Sequence, residues 1–266
     1  MAIHNNINTH SERNSYRMPY SIALAGKGGT GKTTIAGMLI KYLVDKGKSP
    51  VLAVDADSNA NLNEVLGLQL CDTLSNAREE MKKGVVPGGM TKDVFMSMKL
   101  QQAIVEASGY DLIVMGQPEG SGCYCAANSL LTAFLDKLLH NYPYIVMDNE
   151  AGMEHISRLT TRNVDVLLMV SDTSRRSILS ALRIDQLARD LRIGVSKSYL
   201  IINQVKDELS PEIIHIVQDA GITLAGTIPE DPDIYAYDLN GQPTVAIPAG
   251  NAAIQAAYGI FDAIIK

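Results

Sequence analysis

The chain has 266 residues, 46% of them hydrophobic and 20% charged, and a formal net charge of -6. That length suffices for one large α/β domain with a well-buried core, and the acidic balance argues against binding nucleic acid through a basic face. Three cysteines, an odd number, argue against a secreted disulfide framework. A cytoplasmic, reducing home is expected.

Residues 1–17 are polar, without the apolar stretch of a secretory signal. They read as a disordered extension, with Met18 as a candidate natural start; a mitochondrial transit peptide is the rival reading of this tail. No segment reaches the roughly 18–20 uninterrupted apolar residues of a membrane helix. Tyr20–Ala25 is a short apolar run, followed by a glycine-rich turn and then by Ile35, Leu39, Ile40 and Leu43 at helical spacing. "SPVLAVDAD" is a second buried strand and "NANLNEVLGL" a short helix. Residues 71–100 read as irregular, with "KKGVVPGGM" marking turns. Five further apolar runs follow: "YDLIVMG", "YPYIVMDNE", "VDVLLMVSD", "KSYLIINQV" and "ITLAGTIPE". Helical patterns alternate with them: "NSLLTAFLDKLLH", "RRSILSALRIDQLARDL", "SPEIIHIVQDA" and "NAAIQAAYGIFDAIIK". Strands apolar throughout, separated by helices, predict a doubly wound, mostly parallel sheet covered on both faces. Residues 18–266 form a single domain on this reading.

"GKGGTGKT", Gly26–Thr33, matches the P-loop pattern G-x-x-x-x-G-K-[ST] between a strand and a helix. Its glycines, Gly28, Gly29 and Gly31, let backbone N–H groups around Thr30 and Thr34 face phosphate oxygens. The helix N-terminus adds positive potential. Lys32 reaches the β- and γ-phosphates in such loops, and the Thr33 hydroxyl ligates Mg(II). Asp55 and Asp57 end one strand, two residues apart and so on one face. Strand ends of that kind open on the ligand crevice; the competing reading is that one aspartate caps the next helix. Asp148 ends another strand and fits a metal-side carboxylate role. Asn203 ends a third, where an amide can donate and accept toward adenine. Asn203-Gln204-Val205-Lys206 departs from the guanine-reading Asn-Lys-x-Asp pattern.

Lys27, directly after the first loop glycine, gives "KGGTGKT", which resembles the deviant Walker A loop of the MinD, ParA, ArsA and NifH group of dimeric ATPases. The resemblance implies that Lys27 crosses to the partner subunit's nucleotide, that Asp57 positions or activates the attacking water, and that Asp55 holds Mg(II) through water. It also places Glu150 and Gly152 in a γ-phosphate switch, Asn203 on the base, and the backbone of Pro229 and Glu230 around the base pocket. His155 reads as a helix-surface residue.

"GCYCAAN" sets Cys123 and Cys125 before a helix opening at about Ala126. A helix N-terminus favours thiolate, and two thiolates are half of a tetrahedral site. In a homodimer with C2 symmetry, two such pairs meet as a four-thiolate site for Ni(II) or Zn(II). A strained Cys-x-Cys disulfide is the competing reading. Cys71 reads as a buried apolar residue. Together "KGGTGKTT", "GCYCAAN" and "MDNEAGMEHISRLTTR" resemble the CooC-type nickel-inserting ATPases and their AcsF relatives. That resemblance implies ATP-dependent dimerisation and metal delivery to carbon monoxide dehydrogenase or acetyl-CoA synthase as client, with no nucleic acid and no membrane partner. A ParA- or MinD-like positioning ATPase is the alternative, and an iron–sulfur scaffold resembling NifH is a further one.

Overall fold

The computed structural model describes residues 18–57, 59, 61–84, 86–116, 125–149, 164–190 and 194–265; of residues 81, 82 and 125–131 it describes the backbone. Eight strands make one sheet: β1 (Tyr20–Gly26), β2 (Val51–Ala56), β3 (Ile104–Glu106), β4 (Tyr110–Val114), β5 (Tyr144–Asn149), β6 (Val164–Ser171), β7 (Val195–Val205) and β8 (Thr223–Pro229). Their order is β3-β4-β2-β5-β1-β6-β7-β8. Every pairing is parallel except the edge pair β3–β4, which is antiparallel. The doubly wound, mostly parallel α/β fold is therefore as expected.

The fully apolar strands are explained by what covers them. On one face lie α1 (Lys32–Asp45), α2 (Leu62–Leu66) and the closing helix α9 (Ala252–Ile264), burying Ile35, Leu39, Ile254, Phe261 and the strand residues Ile22, Leu24 and Val166. The other face carries α3 (Leu74–Lys82), α4 (Lys92–Gln102), α5 (Cys125–Leu139), α6 (Arg175–Asp190) and α7 (Pro211–Asp219). A short helix, α8 (Pro232–Leu239), follows β8. Among the described residues no helix is long and apolar enough to cross a membrane.

Two expectations are corrected. Residues 71–100 are not irregular, since α3 and α4 occupy most of that tract. Both are rich in charged and polar residues, so no apolar stripe announces them. They form because Leu74, Ala77, Phe95, Met96 and Leu100 are buried, most of them against the core beneath α5, and because the Thr91 hydroxyl caps α4 by accepting from the Val94 N–H. Cys71 is exposed rather than buried, as it stands in the connection before α3.

α9 packs along the sheet with Ala253, Ile254, Ala257, Ile260, Phe261 and Ile264 inward. Asn251 caps it, its Oδ1 accepting from the N–H groups of Ala253 (3.0 Å) and Ile254 (3.1 Å). Asn251→Ala is expected to destabilise the protein by about 1 kcal/mol, read as a lowered urea midpoint at unchanged slope.

Candidate nucleotide site

The chain leaves β1 toward β2 on one side and later passes to β6 on the other, so the carboxyl end of β1 sits at a switch point of the sheet, where ligands bind. The P-loop begins there. A Cβ at Gly26 would collide with the carbonyl oxygen of Val170 on β6, so only glycine fits. Gly29 and Gly31 both take φ +84°, the left-handed region that glycine enters without penalty. Thr30, fully buried, closes the loop on itself: its hydroxyl donates to the Lys27 carbonyl at 2.9 Å. α1 starts at Lys32 with no side-chain cap on its N-terminus. The free N–H groups of its first turn are an anion site by construction. Lys32 is buried, whereas Lys27, Gly28 and Gly29 are exposed at the loop tip, and Thr33 and Thr34 are half-buried.

Two carboxylates stand beside this loop. Asp55 on β2 and Asp148 on β5 are register partners, both fully buried. Both oxygens of Asp55 accept backbone N–H groups, from Asp57 at 3.1 Å and from Leu62, the first residue of α2, at 2.9 Å. The capping alternative for Asp55 thus describes one of its jobs. Burial lifts its pKa from 3.8 to about 6, against those two hydrogen bonds. Asp148 is lifted further, to about 7, chiefly by burial; the Thr33 hydroxyl and Lys32 pull it down, and Asp55 pushes it up. Neither Asp148 oxygen has a hydrogen-bond partner of good geometry, even though Thr33 is close enough to lower its pKa. An orphaned, buried carboxylate beside a threonine hydroxyl fits a divalent cation. Two carboxylates and one hydroxyl suit Mg(II), which keeps several waters and takes phosphate oxygens. Asp57 is half-buried and accepts the Asn59 N–H at 2.9 Å.

β7 reaches the loop from the other side. The Asn203 amide donates to the Thr30 carbonyl at 2.9 Å and lies against Gly31, so Asn203 touches the phosphate loop itself. Pro229 pairs with Val205 in register, and the Glu230 N–H donates to the Val205 carbonyl at 3.0 Å, which puts both residues beside Val205, two residues beyond Asn203 in β7.

Two residues near the site were missed by sequence reasoning. Gln204 donates to the Gly29 carbonyl at 3.4 Å. Asn149 is fully buried and donates to the carbonyls of Leu24 (3.0 Å) and Met147 (3.1 Å), tying the end of β5 to β1. No residue type marked Gln204; Asn149 was visible only as part of "MDNEAGMEH".

Cys123, Glu150, Gly152 and His155 lie outside the described residues, as does the 1–17 extension. Cys125 is the first residue of α5, on the face opposite α1, and its side chain is outside the description. Among the described residues no three His, Cys, Asp or Glu side chains gather to hold a metal ion.

Residues 21–245 match the CobQ/CobB/MinD/ParA nucleotide binding domain. The chain belongs to this family. The matched span takes in the P-loop and both buried aspartates. Among similar members is an uncharacterised ATP-binding protein of Methanocaldococcus jannaschii, 42% identical over 249 residues, spanning 92% of this chain and 98% of the relative. The carbon monoxide dehydrogenase accessory protein CooC of Rhodospirillum rubrum is 34% identical over 238 residues, spanning 83% of this chain and 87% of the relative. Among solved structures, the septum site-determining protein MinD of Pyrococcus horikoshii, complexed with Mg-ADP, superposes with a TM-score of 0.65 at 21% identity over 92% of this chain and 95% of that one.

Proposed function

We propose that this chain is an ATPase that binds Mg-ATP at Gly26–Thr34, pairs with a second copy across that nucleotide, and uses hydrolysis to deliver Ni(II) or Zn(II), held as cargo by Cys123 and Cys125, to a client nickel enzyme. The observation that carries the delivery half is the similarity to the CooC accessory protein along 83% of the chain, together with a Cys-x-Cys pair in a chain that has three cysteines.

Each residue has a part in this reading. The loop N–H groups and Lys32 hold the β- and γ-phosphates. Thr33, Asp148 and Asp55 would hold Mg(II), which would offset the negative charge of the phosphates. Asp57 orients the attacking water; ATP and water give ADP and phosphate. Lys27, exposed at the loop tip, reaches the partner's nucleotide and offsets charge developing on the transferred phosphoryl group. Asn203, Pro229 and Glu230 border the base. Glu150 and Gly152 form the switch whose γ-phosphate contacts are lost on hydrolysis. The two dimer states then hold the four thiolates differently, and metal affinity changes by that difference and no more. The client is carbon monoxide dehydrogenase or acetyl-CoA synthase. The domain spans 18–266 and works in the cytoplasm.

The family also contains positioning ATPases, and membership alone suits such a role equally well. A positioning ATPase wants a basic amphipathic helix or a DNA-binding face. Here α9 is packed into the core with its apolar side inward, so α9 itself is not a membrane-lying helix of that kind.

Size-exclusion chromatography with light scattering and metal analysis tests this, with and without Ni(II) and under reducing conditions. About one metal per dimer is expected, as four shared thiolates require, and the Cys123→Ala/Cys125→Ala variant should lose it while still binding nucleotide. Equal metal content in both proteins, or none in either, would move the positioning role to the front.

A further inference from the structure

On an extended strand, neighbouring side chains point to opposite faces. Asn203 and Gln204, the closing residues of β7 before Val205, break that rule, since both donate to the phosphate loop. Asn203 reaches the Thr30 carbonyl at 2.9 Å and Gln204 the Gly29 carbonyl at 3.4 Å. The backbone shows how. Gln204 has φ +57°, and it is the one non-glycine residue with positive φ among those described. The β7–β8 register shifts over the same stretch, between Ile202 and Val205. One left-handed residue turns the second amide onto the side of the first. A glutamine in that conformation is strained, and strain of this kind persists where the surroundings enforce it. The next loop residue, Gly31, is held as well: a Cβ there would collide with the Asn203 amide.

We infer that Gln204 is a positioning residue for phosphate recognition, closing with Asn203 a two-amide clamp that holds the phosphate loop in its binding shape before nucleotide arrives. The inference rests on the nucleotide-site reading above. Binding the carbonyls of Gly29 and Thr30 on the β7 side fixes the peptide planes that they share with the N–H groups of Thr30 and Gly31. The loop is then pre-organised, and nucleotide need not order it. Gln204 is exposed and far from any core role, so its substitution should not cost the fold.

Two variants of the full chain separate clamp from scaffold. Gln204→Met keeps the length and removes the donor. Gln204→Gly removes the donor and relieves the positive φ. Binding of Mg-ADP is measured by calorimetry, and melting of the nucleotide-free protein is measured alongside. Both variants should bind Mg-ADP about five- to tenfold more weakly, the scale of one lost hydrogen bond. Gln204→Gly should at the same time melt about 2–4 °C higher, because glycine accepts this backbone without strain. Weaker binding in a more stable protein is an outcome that a merely structural role cannot give. Wild-type affinity in both variants overturns the clamp alone. Failure of the wild type to bind Mg-ADP overturns the nucleotide reading itself, and the clamp with it.

Discussion

Asp148→Asn is expected to stabilise the nucleotide-free protein at pH 8 while abolishing magnesium-dependent ATP hydrolysis. The reason is the carboxylate's position. Asp148 is fully buried, its oxygens lack partners, and its pKa is raised from 3.8 to about 7, mainly by burial. Asp55, its register partner, is raised to about 6. Well below pH 3.8 both are protonated in the folded and unfolded chains, so neither affects stability. As pH rises from 4 to 7 the unfolded chain releases protons that the folded chain retains, and stability falls. Once the pH is well above 7, past the Asp148 pKa, the penalty is complete. The nucleotide-free protein should therefore lose stability between pH 4 and pH 7 through this pair. Asparagine cannot ionise, so Asp148→Asn removes a cost on the order of a few kcal/mol at pH 8. The same change deletes the charge that fits Mg(II), and hydrolysis should drop by at least about 100-fold. Urea melts at pH 5 and pH 8, paired with phosphate-release assays across a magnesium series, give both readings. A variant that melts like wild type at pH 8 and still hydrolyses ATP would remove Asp148 from the site.

The second large effect is expected at Gly26. The Cβ of Gly26→Ala would meet the Val170 carbonyl, and that oxygen has little room to retreat. Val170 is the register partner of Gly26 in the β1–β6 ladder at the centre of the sheet. Relief requires β1 and β6 to part where the phosphate loop begins. The cost should be on the order of 3 kcal/mol, or roughly 6–12 °C in melting temperature, with loss of nucleotide binding because the loop is displaced at its root. Gly28 is the control. A Cβ there meets nothing within 4 Å, and its φ is not positive, so Gly28→Ala should fold with near wild-type stability. If the two variants melt alike, the close approach at Gly26 is not what demands glycine.

Much of the architecture was legible because it is local. β1, the loop and α1 are contiguous, and "GKGGTGKT" carries its own turn chemistry in the left-handed Gly29 and Gly31. The helices between strands announced themselves by apolar spacing, as in Ile178, Ala181 and Ile184 on α6. Asp55 and Asp148 could be singled out as candidates because both end apolar runs at the crevice end of the sheet.

Other features belong to contacts between distant segments. α3 and α4 are polar enough to read as loop, and the core beneath α5 decides them. β3 is three residues long and pairs antiparallel with β4, an edge arrangement that no apolar run foretells. The protons on Asp55 and Asp148 are set chiefly by burial, and that on Asp148 also by Thr33, Asp55 and Lys32 brought to it from other elements. The two-amide clamp depends on one backbone angle at Gln204 and on a loop more than 170 residues earlier in the chain. By itself, then, the sequence determined the strand-and-helix alternation and the phosphate loop, because propensity, spacing and turn chemistry act between near neighbours. Only the tertiary structure decided which polar side chains meet that loop, how strongly the buried carboxylates hold their protons, and which polar helices form, because those depend on desolvation and on groups brought together from opposite sides of the sheet.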